Sequence, residues 1–436
     1  MVFVNGSGRH SPSERRSRSL FGHPPGLTVL FTTQMWAEFS FFGLQALLVY
    51  YMTKQLGFAQ EKSSLIYGAY GAAAFFSPFF GGLIADRWLG RTASVIIGGV
   101  MMMLGHFAMA FPALLSPALA LVALGNGLFI PPLAIQVGSL YADDDPRKAY
   151  AYSAYYMGIN LGGLLAPLIC GTLGELYGWH WGFAAAGVGM AIGLVIYCSF
   201  LRFLPPEPSR SDTPLQEKPA AASVISRNVS VLVLMIAMVV LFRIGYEQSG
   251  NVIALWVSDF TDRSVSLFGR SVLVPATWFQ SINPLLIIVG TPVLIRIWRA
   301  RNGRETTPHL LKRMAIGCVI AAAAMLVMVM AALASGPSGG RVSSLWVVFY
   351  FVLLTLGELL VIPTGLTLIE SLAPVRFASM TMGAWYIAKF LGSLLAGVMG
   401  AYWLAIPAWQ FFCLGAASTI VAAASLYSMA RLVRPA

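Results

Sequence analysis

Between Leu27 and Thr53 the chain runs apolar, yet this stretch holds Gln34, Glu38 and Gln45. A charge at the centre of a membrane helix costs about 2.5 to 3.5 kcal/mol on insertion scales, so it survives where something needs it. At 100° per residue Gln34, Glu38, Phe41 and Gln45 fall on one stripe of a helix. That stripe must face protein or water. Two cations, Arg243 and Lys389, also lie inside apolar segments. Arg243, Glu247 and Asn251 follow i, i+4, i+8, and Thr381, Trp385, Lys389 and Ser393 repeat that spacing elsewhere, so each set forms a polar stripe. Counting Glu38, Glu247 and Glu358 against Arg243 and Lys389 leaves a net charge of −1, which one proton or one cationic solute would balance. A buried ionisable set of this kind suits the coupling of ion and solute movement.

Other chemistries find no residues to carry them. The sequence has no G-x-S-x-G, no H-E-x-x-H and no phosphate-binding loop, so no enzyme activity and no cofactor is expected. Cys170, Cys198, Cys318 and Cys413 all sit in apolar stretches without metal-ligand or C-x-x-C spacing and read as packing residues. His106 reads as a packing histidine. Any transport is expected to be driven by a gradient.

The elements that position these residues follow from composition. The 436-residue chain is 58% hydrophobic and 10% charged, with a mean hydropathy of +0.75, which marks a polytopic membrane protein. Apolar runs long enough to cross about 30 Å of hydrocarbon are centred in 27–53, 63–86, 92–111, 114–141, 149–174, 180–201, 229–256, 275–298, 310–334, 344–370, 377–403 and 407–430. They predict twelve transmembrane helices. Nothing before Leu27 has the apolar core of a cleavable signal.

The net charge of +11 invites a nucleic-acid reading, but its distribution argues against one. With the N-terminus inside, 21 of the 28 Lys and Arg residues fall on inward segments and 5 on outward loops. The positive-inside rule then places both termini in the cytoplasm of a cell (inner) membrane protein. The expected organisation is a cytoplasmic arm at 1–26, a six-helix bundle at 27–201, a Pro- and Ser-rich cytoplasmic linker at 202–228, a second six-helix bundle at 229–430 and a tail at 431–436. The halves echo each other, GNGLFIPP at 125–132 with GELLVIPT at 357–364 and GINLGGLLAP at 158–167 with AKFLGSLLAG at 388–397. Such internal symmetry belongs to transporters whose site lies between the repeats near the midplane. Gly68-x-x-Gly71 and Gly158-x-x-x-Gly162 are spaced for close helix approach.

At this point the residues resemble a family. GGLIADRWLGR at 81–91 is similar to the loop between the second and third helices of major facilitator transporters, which implies a cytoplasmic gating latch at Asp86, Arg87 and Arg91. YYMGINLGGLLAPLICGTLGELYGWHWGFAAAGVGM at 155–190 looks like the signature of the proton-dependent oligopeptide transporter family, with further agreement in YEQSG at 246–250, FQSINP at 279–284, GELLVIPTGL at 357–366 and MGAW at 382–385. The resemblance implies an all-α membrane protein with the major facilitator fold, twelve transmembrane helices in two six-helix halves. It further implies proton coupling through Glu247 and Glu358, and a substrate cavity lined by Asn160, Asn283 and Trp385.

The departures cluster in the first half. The family's first helix carries E-x-x-E-R-F-x-Y-Y and its fourth a lysine after G-N-G-x-F, whereas here Gln34, Ala37, Glu38, Phe39, Phe41, Phe42 and Ile130 stand in those places. Glu38 thus occupies the place of an arginine, and Gln45 that of another arginine associated with holding a peptide's carboxylate. Loss of the whole cluster leaves no stranded partner. The expected proton-coupling set is Glu38, Glu247 and Glu358, and the expected substrate contacts are Gln45, Tyr156, Asn160, Arg243, Glu247, Asn283, Glu358, Trp385 and Lys389. Arg243 and Lys389 could hold a substrate anion or act as counter-charges to the carboxylates. The expected partners are a short peptide or other small molecule, protons and the lipid bilayer, with no nucleic acid. The reading is a secondary active transporter that moves small peptides or peptide-like solutes by alternating access and proton symport. The alternative keeps the fold but moves a non-peptide metabolite, siderophore or drug, with export a further option.

Overall fold

The computed structural model describes residues 22–142, 145, 147–207, 222–267, 270–299, 306–336, 339–372 and 378–433. Most of the arm, the middle of the linker and the end of the tail therefore lie outside the described residues.

The first half consists of α1 (Pro25–Tyr50), α2 (Gln60–Ile84), α3 (Arg91–Ala108), α4 (Leu115–Ser139), α5 (Arg147–Tyr177) and α6 (Trp179–Ser199). In the second half α7 (Ala222–Tyr246) begins within the segment read as linker, and a 3-10 turn (Glu247–Gly250) joins it to the short α8 (Val252–Phe260), so the seventh span is broken. The remaining five spans are α9 (Ile282–Arg299) with the 3-10 turn Ala276–Ser281 before it, α10 (Thr307–Ala334), α11 (Leu345–Leu372), α12 (Ala378–Ala401) and α13 (Ala408–Leu432). Twelve spans in two sets of six make the major facilitator fold. Among the described residues, ten of these segments are long and apolar enough to cross a membrane by length and composition alone. α1 falls short because Gln34, Glu38 and Gln45 lower its hydropathy, and the described apolar part of α12, Trp385–Ala401, is too short to count by itself.

Small residues set how the helices meet. A methyl group on Gly68 of α2 would lie 2.6 Å from the Cα of Gly397 on α12, and one on Gly162 of α5 would lie 2.3 Å from the carbonyl oxygen of Met35 on α1. Neither site has room for a Cβ, so the backbones touch as they do at small-residue interfaces in lipid. The α2–α12 crossing joins the two halves.

The connections add detail that a run of apolar spans does not foretell. A hairpin of β2 (Ser264–Leu267) and β3 (Arg270–Leu273), with Val265 opposite Val272, fills the connection between the seventh and eighth spans. Beside it β1 (Thr261–Asp262) pairs in parallel with β4 (Val342–Ser343). At the opposite end of the bundle Gly90 adopts a φ of +78°, a left-handed turn that glycine reaches without strain, between the second span and α3. Glu207, beyond α6, caps that helix by accepting from the N–H of Thr92 at 2.7 Å and of Arg91 at 3.1 Å. Partial burial pushes the Glu207 carboxyl up, but the N–H groups of Thr92 and Arg91, the Thr92 hydroxyl and the Arg91 charge together hold it below the usual carboxylate range.

Candidate functional site

A cavity of about 390 Å³ lies between the halves, within the 300 to 1,000 Å³ usual for small-ligand sites. Its charges are unevenly shared. Among the described lining residues the first half contributes one charge, Glu38 on α1, while the second half contributes Arg243 and Glu247 at the break of the seventh span, Glu358 on α11 and Lys389 on α12.

Each charge has a distinct setting. Arg243 and Glu247, one turn apart, form a buried ion pair through Nη2 and Oε1. Both oxygens of Glu358 accept a hydrogen bond, from the Tyr246 hydroxyl at 3.0 Å and the Asn283 amide at 2.7 Å, and Asn283 also donates to Thr355 at 3.0 Å. Glu38 is 8% exposed and accepts at Oε1 from Gln34 at 2.7 Å, while Gln34 in turn accepts from the Tyr155 hydroxyl at 2.8 Å. This chain of donors fixes the amide of Gln34 so that its N–H faces the carboxylate. Lys389 makes no ion pair among the described residues. Its ammonium sits 5.0 Å from the ring centroid of Phe75 and 5.5 Å from that of Tyr386. The Arg243 guanidinium lies 5.1 Å from the same Phe75 ring, so one aromatic of α2 faces both cations of the opposite half. Such contacts are worth about 0.5 to 2 kcal/mol each, less than a full counter-charge supplies.

One end of the cavity is sealed by bonds that cross between the halves. Tyr50 donates to the Ala254 carbonyl at 2.8 Å, Gln60 to the Gly400 carbonyl at 2.8 Å, Ser64 to the Asn251 side chain at 2.9 Å and Lys54 pairs with Asp259 at 2.5 Å. On the neighbouring side Glu175, near the end of α5, accepts from the N–H groups of Ala276 at 2.9 Å and Thr277 at 2.8 Å, from the Thr277 hydroxyl at 2.8 Å and from Arg263 at 3.5 Å. Trp278 donates to Thr172 at 2.8 Å, and Ser281 to the Leu164 carbonyl at 2.9 Å. All these groups lie between mid-bundle and the end away from the termini.

Of the expected substrate contacts, Gln45, Tyr156, Asn160, Arg243, Glu247, Asn283, Glu358 and Lys389 line this one cavity. Gln45 donates to the Tyr67 hydroxyl at 3.0 Å, and Asn160 donates back to the Tyr156 carbonyl at 2.9 Å. Trp385 does not belong with them. It is 4% exposed, lies outside the lining and packs within 2.8 Å of where a Cβ on Gly365 would sit. The wall of α12 is instead formed by Tyr386 and Lys389, an i, i+3 pair in place of the i, i+4 one. Asn251 also leaves its stripe, because the break after Glu247 turns it toward Ser64. Glu38 forms no ion pair with Arg243 or Lys389 among the described residues.

The expected latch is only partly assembled. Arg91 donates to Ser139 at 3.1 Å, while Asp86 and Arg87 are exposed and form no ion pair among the described residues. Phe75, Tyr67, Tyr246 and Tyr386 are cavity residues the sequence pattern missed; their spacing from Arg243 or Lys389 marks only Tyr246 and Tyr386. His106 is fully buried, and neither ring nitrogen has a hydrogen-bond partner.

Two six-helix halves around a charged central cavity, bonded together at one end, define a secondary transporter. The Major Facilitator Superfamily profile matches residues 30–397. The peptide transporter YePEPT of Yersinia enterocolitica subsp. palearctica is 32% identical over 88% of this chain and 89% of its own length. The di-/tripeptide transporter of Lactococcus lactis subsp. cremoris is 31% identical over 86% and 88%. A crystal structure of a peptide transporter POT variant in complex with alafosfalin superposes with a TM-score of 0.84 at 28% identity, covering 95% of this chain and 96% of that one. The chain belongs to the proton-dependent oligopeptide transporter family of the major facilitator superfamily.

Proposed function

We propose that this protein carries short peptides or peptide-like solutes across the cell membrane by alternating access, coupled to protons. The observation that carries the reading is the cavity itself: enclosed by both halves, lined by three carboxylates and two cations, and sealed by cross-half bonds at the end away from the termini. With the termini in the cytoplasm, as the charge bias favours, the seal is extracellular and the cavity faces inward. The relatives' names support peptides as cargo, and the absence of a cation on the described first-half wall bears on which end of a peptide is held where. Glu38, Glu247 and Glu358 are the proposed proton carriers, because each is a carboxylate on the wall of a cavity whose access alternates. Asp86, Arg87 and Arg91 remain the proposed elements of an inner gate, which would form when the outer seal opens.

Purified protein in liposomes should accumulate labelled dialanine or trialanine against its gradient when the outside is made acidic, and only equilibrate them without a pH difference. Glu358→Gln should abolish accumulation, since an amide cannot take up and release the proton, yet retain exchange of labelled for unlabelled peptide. Accumulation that ignored the pH gradient would reject proton coupling, and indifference to peptides beside uptake of a non-peptide solute would reject the cargo.

A further inference from the structure

If the cargo is a peptide, the cavity holds two charges that no group among the described residues neutralises by contact, and they stand on opposite halves. Glu247 is engaged by Arg243, and each oxygen of Glu358 already holds a donor. Glu38 holds a single donor, from Gln34, and its second oxygen has no hydrogen-bond partner among the described residues. Glu38 lines the cavity. Across the same space Lys389 faces only the rings of Phe75 and Tyr386 among the described residues. The two line the same cavity but do not meet as an ion pair among the described residues. An anion in contact is what a buried ammonium lacks most, and a cation is what a half-satisfied carboxylate lacks. Among the described residues the first-half wall offers an anion no counter-charge, since Gln45, Asn126 and Asn160 bring amides and Ile130 is apolar.

We propose that the peptide binds as a zwitterion laid across the two halves, its ammonium on Glu38 of α1 and its carboxylate on Lys389 of α12. This rests on the peptide reading above and adds the polarity of the bound molecule. Arg243, 5.1 Å from the centroid of the same Phe75 ring, flanks the carboxylate end, while its own charge is paired with Glu247. A dipeptide, whose ends lie about 7 Å apart when extended, can touch both walls only where the halves come together. Binding and closure of the cavity then favour each other.

The test is competition against labelled dialanine in liposomes, using dialanine, its C-terminal amide and its N-acetyl form as competitors. In the unmodified protein amidation and acetylation should each weaken competition more than tenfold. In Lys389→Gln the amidation penalty should shrink below twofold while the acetylation penalty persists, and Glu38→Gln should show the reverse. Lys389→Arg should restore the amidation penalty, which a merely structural lysine would not do. A penalty for amidation that survives Lys389→Gln, or one for acetylation that survives Glu38→Gln, overturns the assignment. The ligand series in the unmodified protein decides independently of any variant, because an amidation penalty below twofold also overturns it. Failure of dialanine itself to bind would instead count against the peptide reading on which the polarity rests.

Discussion

Taking the carboxylate of Glu247 away would leave the Arg243 guanidinium near the rings of Phe75 and Tyr246 with no anion in contact among the described residues. A buried charge stranded in this way costs about 3 to 5 kcal/mol, whereas removing both members leaves no orphan. Glu247→Gln should therefore lower thermal stability in detergent far more than Arg243→Gln/Glu247→Gln does, and a double-mutant cycle should give a large coupling energy. Additive losses would mean that the pair contributes nothing as a pair. Residue identity marked the five charges that line the cavity, since a charge within an apolar run is rare and its helical stripe can be read from spacing. Spacing did not reveal the rotation of a helix about its axis. Trp385 and Tyr386 are neighbours in sequence, and packing against Gly365 chose between them.

At the scale of elements, hydropathy located the spans because lipid demands long apolar helices. It was blind to how a span is interrupted. The turn at Glu247–Gly250 and the pairing of Thr261–Asp262 with Val342–Ser343 depend on partners distant in sequence, such as Ser64 for Asn251. The start of the eighth span is similar: its first turn offers free N–H groups, and Glu175 from α5 satisfies two of them across the interface between halves. Losing a cap of this kind costs about 1 to 2 kcal/mol, which converts to roughly a tenfold shift between open and closed forms of the seal. The expected result for Glu175→Ala is a tenfold faster reaction of a cysteine placed at Ile130, in a background with the four native cysteines replaced, with a membrane-impermeant thiol reagent added outside. An unchanged rate would show that the contact does not hold the seal.

For the molecule as a whole, the repeats and the charge asymmetry were both visible in the chain, and the charge asymmetry is the basis of the proposed orientation. A reporter active only in the cytoplasm should work when fused after Ala436, and a reporter active only outside should work when inserted in the loop that holds Arg341; the opposite pattern would reverse the membrane assignment and turn the sealed end inward. What the chain did not display is how the seal is written. Tyr50, Gln60 and Ser281 each bond a main-chain carbonyl of the other half, at Ala254, Gly400 and Leu164. A carbonyl is there whatever residue carries it, so only one side of each contact is encoded. Heredity can damage such a contact from that one side and has no matching change to make on the other. Compensating second-site suppressors, and the correlated substitutions they leave in a lineage, should gather instead at Lys54 with Asp259, Ser64 with Asn251 and Glu175 with Arg263, where both partners are spelled in side chains.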